Sequence, residues 1–124
     1  MRVNLQLRAL RGAIQIDADT IEEITAATIE LVQAMLDRND IAVDDLVSII
    51  FTATPDLHSA FPAAAARGLG LGHIPLLCAA EIDVEGALPR VIRVMMHATT
   101  AKSLTEISHV YLRGAVALRQ DLAQ

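Results

Sequence analysis

At 124 residues the chain has room for one domain around one hydrophobic core, and we read residues 1–124 as that single domain. Apolar residues make up 53% of it and aromatics only 2%, so a chain this small must cover its apolar surface internally or against further copies. A net charge of −5 argues against a general nucleic-acid surface, and no apolar run approaches the length of a membrane span.

Residues 3–16 read as a strand, because Val3, Leu5 and Leu7 alternate with Asn4, Gln6 and Arg8. Gly12 within it marks a bulge or a close backbone approach. A helix is predicted over 20–38, with Asp19 and Glu22 in the spacing of a capping box. Its apolar stripe is Ile21, Ile24, Thr28, Leu31 and Met35, widened by Val32 and Leu36, and Asn39-Asp40 ends it. Residues 46–54 are apolar on both faces, the pattern of a central strand covered twice, and Pro55 stops them. A short helix follows over 59–69, broken by the Gly68-Leu-Gly-Leu-Gly72 run, and 74–80 reads as a second buried strand. Residues 86–100 carry a helical stripe of Leu88, Val91, Ile92, Met95 and Thr99, with Pro89 in the first turn. Two last strands, 109–112 and 115–118, flank Gly114. The sum is an α+β fold, an α/β sandwich with a mixed sheet and helices packed on one face.

One cysteine excludes an internal disulfide and points to a reducing compartment. Arg2, Arg8 and Arg11 interrupt any secretory signal, so the expected location is the cytoplasm. The four histidines, His58, His73, His97 and His109, have no paired ligand spacing and no cysteine set, so no metal is expected. The Gly68–Gly72 segment lacks the Gly-Lys-Ser/Thr ending of a phosphate loop. Cys78 is either a small buried hydrophobe or a thiol nucleophile; the first is commoner in a buried strand. Nine of the ten basic residues are arginine, whose planar fork suits carboxylates. Arg93 lies at the border of its predicted apolar stripe, where a guanidinium either snorkels to solvent or points into a neighbouring cleft.

The stretch Ala53-Thr-Pro-Asp-Leu-His-Ser-Ala-Phe-Pro-Ala-Ala-Ala-Ala-Arg67 carries the most information. Together with Arg11-Gly12-Ala13, Cys78, Glu81-Ile82-Asp83, the Arg93-Val-Met-Met run, His109-Val-Tyr-Leu112 and Leu118-Arg-Gln-Asp-Leu122, it resembles the AroH class of chorismate mutases over nearly the whole chain. The resemblance implies rearrangement of chorismate to prephenate, in phenylalanine and tyrosine biosynthesis, without metal or cofactor. It implies a homotrimer, a pseudo-barrel assembly with sites between adjacent subunits. Arg11, Cys78, Glu81, Arg93 and Tyr111 match its substrate site, and Phe61, Arg67, Leu76, Leu77, Leu118 and Arg119 match further lining positions. The implied catalytic roles fall to Arg93 at the ether oxygen, Glu81 at the substrate hydroxyl and Arg11, with Tyr111, at carboxylate. Ala64 stands where that family usually carries lysine and Leu77 where it carries threonine, leaving Arg67 or Arg119 to supply the missing charge. Strict strand alternation puts Cys78 and Glu81 on opposite faces unless the strand ends near Cys78. The competing reading is a catalytically weak trimeric protein of the same fold that binds small anions.

Overall fold

The computed structural model describes residues 4–119, without the side chain of Arg119; Gln120, Asp121 and Leu122 lie outside the described residues. In chain order the elements are β1 (Gln6–Gln15), α1 (Ile21–Arg38), a 3₁₀ turn (Val43–Asp45), β2 (Leu46–Ala53), α2 (Pro62–Ala66), a π-type turn (Arg67–Leu71), β3 (Leu76–Ala80), β4 (Val91–Thr100), β5 (Val110–Leu112) and a closing 3₁₀ turn (Arg113–Arg119). The strands form one mixed sheet in the order β3-β2-β4-β1-β5. Strand β4 runs antiparallel to both neighbours, while β3 is parallel to β2 and β5 parallel to β1.

The alternation along each strand divides the sheet into a covered and an open face. Leu10, Ile14, Ile49, Phe51, Ile92, Val94 and Met96 pack into one core with Ile24, Leu31, Val32 and Met35 of α1 and Ala63 and Ala66 of α2. Each fully buried aliphatic side chain in that layer contributes about 1.5–3 kcal/mol. Gly12 sits where α1 presses closest: a Cβ there would stand 2.5 Å from the Met35 sulfur and 3.1 Å from Leu31 Cδ1. The glycine is therefore a close approach and not a bulge. On the opposite face, among the described residues, Ala13, Val91, Tyr111 and Ala115, with Leu88 and Leu118 against them, form a second small cluster.

The predicted helix over 86–100 is instead the central strand β4. Leu88, Val91, Ile92 and Met95 fit a helical stripe while Ile92, Val94, Met96 and Ala98 fit a strand alternation, so both periods can be read in it. The β-branched Val91, Ile92 and Val94 and two-sided backbone pairing settle it as strand. The second difference is at the end, where 115–118 coils into 3₁₀ turn and buries Ala115. The third is the start of α1. Thr20, not Asp19, is its cap, accepting a hydrogen bond from the Glu23 amide at 3.1 Å.

Asn39 ends α1 and does more than stop it. Its side chain is fully buried, donating to Met35 O at 2.8 Å and Ser108 O at 3.0 Å and accepting from the Ser108 amide at 2.8 Å. These bonds tie the helix end to the segment that leads into β5. We expect Asn39→Ala to strand buried backbone groups and lower stability by at least about 1–3 kcal/mol, read as a shift in the urea midpoint. An unshifted midpoint would show that the triple contact is dispensable.

Candidate active site

One row of side chains crosses the open face from edge to edge. Tyr111 pairs with Ala13, Ala13 with Arg93, Arg93 with Thr52, and Thr52 with Ala79. The two alanines are short, so the row is a trough with an arginine at its centre. Arg11 lies two residues from Ala13 on the same face of β1. Glu81 lies two residues beyond Ala79, and its amide still donates to Ala53 O at 3.0 Å, so the ladder carries it to the same face. These residues line a cleft of about 240 Å³ bounded by Arg11, Thr52, Glu81, Arg93, Met95 and Tyr111.

Within the cleft Arg93 Nε stands 3.5 Å from Glu81 Oε1, the arginine side chain 44% exposed and the glutamate 25%. An ion pair this open contributes little to stability; what it does is aim a flexible guanidinium. Two arginines against one carboxylate leave the trough positive, the sign needed by a dianion. Tyr111 is nearly buried, packed by Ala115 and Leu118, so its position is fixed. Arg11 is held through its backbone: its amide donates to His109 Nδ1 at 3.0 Å. That bond assigns the proton of a neutral His109 ring to Nε2.

Cys78 and Glu81 do lie on opposite faces, because the strand continues past Cys78. Cys78 pairs with Phe51 and packs against the main core. It lines a larger, separate cleft of about 550 Å³ with His58, Phe61 and Pro62, which meets the first at Thr52. Phe61 is 71% exposed at its rim. Leu77 is an exposed side chain of the open face beside Ile50, whereas Leu76 faces the core. Arg67 begins the π-type turn and Ala64 is exposed on α2, neither lining the two clefts. Leu118 supports Tyr111 from behind, and the Arg119 side chain lies outside the described residues.

Arg93 therefore projects from a strand and not from a helix border. Arg90, which helical geometry would place nearly opposite the apolar stripe, is a turn residue at φ 52 whose guanidinium donates to Ile16 O at 3.0 Å. Its amide is held by both Asp56 oxygens, at 3.1 and 3.0 Å. Sequence reasoning passed over Thr52 and the support given by His109, since both depend on cross-strand register.

The chorismate mutase type I family matches residues 7–122. The chain belongs to that family. It is 50% identical over 117 residues to the chorismate mutase AroH of Thermus thermophilus, covering 94% of this chain and 96% of that relative. It is 42% identical over 120 residues to the chorismate mutase AroH of Bacillus subtilis, covering 96% and 94%. Among solved structures, a chorismate mutase from Clostridium thermocellum superposes with a TM-score of 0.87 at 48% identity, over 89% of this chain and 98% of that one. Membership makes the chain an isomerase, and a weak anion-binding role is not favoured.

Asp19, released from capping α1, holds the loop that presents Phe61. Its Oδ1 accepts the amides of His58 and Ser59 at 3.0 Å each, its Oδ2 stands 3.1 Å from His58 Nδ1, and its carbonyl accepts the Ser59 hydroxyl. Desolvation raises the Asp19 carboxyl pKa, but these hydrogen bonds and the His58 ring outweigh it and leave the carboxyl below its ordinary range. A depressed folded pKa stabilises above the unfolded value, and the benefit disappears as pH falls through the folded one. We expect wild type to be more stable than Asp19→Asn at pH 6, with the gap in urea midpoints closing as the pH is lowered toward 3. A gap that is constant with pH would rule out the ionised tether.

Proposed function

We propose that the chain rearranges chorismate to prephenate in the Arg11–Glu81–Arg93–Tyr111 trough, serving phenylalanine and tyrosine biosynthesis in the cytoplasm. The single observation that carries this reading is the register-fixed row Tyr111–Ala13–Arg93–Thr52–Ala79 with Arg11 and Glu81 beside it. The reaction is a unimolecular [3,3] shift: one ether C–O bond breaks as one C–C bond forms, and no proton moves. It needs no nucleophile, only a compact conformer and stabilised charge on the departing oxygen. In this reading Arg93 donates to the ether oxygen, Arg11 and Tyr111 bind carboxylate, and Glu81 both aims Arg93 and accepts from the substrate hydroxyl. A millionfold acceleration corresponds to about 8 kcal/mol, of which one preorganised donor supplies about 3–4. The lone, half-buried thiol of Cys78 is consistent with a reducing compartment.

The trough is open on the side away from the sheet, as the exposure of Arg93 indicates. The open face also carries Leu7 and Leu77, 57% and 60% exposed, beside Ile50 and Met95. Uncovered apolar sheet beside a half-formed cleft supports a homotrimer of single-domain subunits in which a neighbour closes the site. The Phe61 and Cys78 cleft, with Arg67 nearby in sequence, is then the surface offered to the adjoining subunit. Cys78 acts by packing and not as a nucleophile.

Replacement of Arg93 by citrulline or alanine should lower kcat by at least about a hundredfold while changing KM far less, because the contact strengthens in the transition state. Lysine should recover only part, since it keeps charge but not the planar fork. Arg38→Ala, an exposed change in the last turn of α1, is the reference. Loss of chorismate absorbance is the readout, and a folded Arg93→Ala enzyme that matches Arg38→Ala removes Arg93 from the mechanism. Light scattering at micromolar concentration should give three subunits; a stable monomer with full activity would refute the shared site.

A further inference from the structure

Thr52 occupies the centre of the open-face row between Arg93 and Ala79 and lines both clefts. Its Oγ1 is shut off from solvent and has no hydrogen-bond partner among the described residues. Of the buried side-chain polar atoms described, it is the one left in that condition. Thr28 and Asn39, the fully buried polar residues among those described, are both satisfied: the Thr28 hydroxyl bonds Ile24 O at 2.7 Å, and Asn39 makes three bonds.

An unpaired buried hydroxyl weakens a fold, and valine at the same position would keep the β-branched shape without that cost. A threonine that leaves its hydroxyl unpaired beside the central arginine of an active site points to a partner that arrives with the substrate.

We infer that Thr52 is a substrate-contacting residue whose hydroxyl donates to an oxygen of the bound dianion next to the Arg93 contact. The inference rests on the assignment of the site to this trough. Oγ1 is covered in the unliganded chain, and a turn about χ1 to another staggered well brings the hydroxyl into the cleft as the substrate enters. It is neutral, so it adds a directed donor without adding repulsion to the two arginines. Arg93 and Thr52 are cross-strand partners, which lets the two donors converge on one small molecule from adjacent strands.

Three variants test this in the full-length protein: Thr52→Val, Thr52→Ser and Arg93→Ala. We expect Thr52→Val to melt at the same temperature as wild type or higher, yet to lose about tenfold or more in kcat/KM with chorismate and to bind prephenate correspondingly more weakly. Thr52→Ser, which keeps the hydroxyl, should recover most of both. Thr52→Val turning over like wild type while Arg93→Ala is crippled would overturn the Thr52 contact and leave the site assignment standing. Both variants behaving like wild type would overturn the two together. A Thr52→Val protein that loses subunit association instead of prephenate affinity would place the hydroxyl in a subunit contact and also overturn the inference.

Discussion

Strand β4 is hydrogen-bonded to β1 on one side and to β2 on the other, both antiparallel, and this two-sided pairing sets where every side chain of the trough stands. Ile92, Val94 and Met96 go into the core, so Val91, Arg93 and Met95 must go to the open face. A slip of one residue would bury Arg93 beneath α1 and expose Val94, at a cost no local contact could offset. The guanidinium is thus placed by the same burial that stabilises the fold. Stability and the geometry of the candidate site share one register.

Around that frame, polar side chains fix the loops where hydrophobic burial gives no grip. The Thr54-Pro-Asp56 turn after β2 holds the entry to β4: the Thr54 hydroxyl accepts the Val91 amide at 3.0 Å, and Asp56 takes the Arg90 amide. Asp19 clamps 58–59, Asn39 clamps Ser108, and His109 takes the Arg11 amide. Each joins segments far apart in sequence. Each also ends near a residue lining one of the two clefts: Arg93, Phe61, Tyr111 or Arg11. A unimolecular rearrangement draws its rate from preorganisation, so rigidity around the cleft matters more than any reactive group within it.

The electrostatics follow the same logic. Arg93 and Glu81 form an exposed pair of small energetic value, yet without it a long arginine would sample many rotamers. Arg11 supplies a second cation on the same face, and Glu81 moderates the repulsion between them. The trough is a positively biased surface, two guanidinium groups against one carboxylate, of the sign that suits a dianion.

How much of this was legible beforehand depends on the range of the interaction concerned. Alternation in β1, the stripe of α1 and the two-faced apolar pattern of β2 are local periodicities, and they placed those elements within a few residues. The order and spacing of Arg11, Glu81, Arg93 and Tyr111 pointed to the family without any knowledge of the fold. The same local reading made β4 a helix, because Leu88, Val91, Ile92 and Met95 satisfy a period of 3.6 while Ile92, Val94, Met96 and Ala98 satisfy one of 2. Only pairing with β1 and β2, over separations of dozens of residues, breaks that tie. Asp19 likewise has a capping residue's sequence context, and only the fold brings the 58–59 loop within reach of its carboxylate. Composition and order determined what this chain is; cross-strand register, which no local pattern encodes, decided which of its residues face one another.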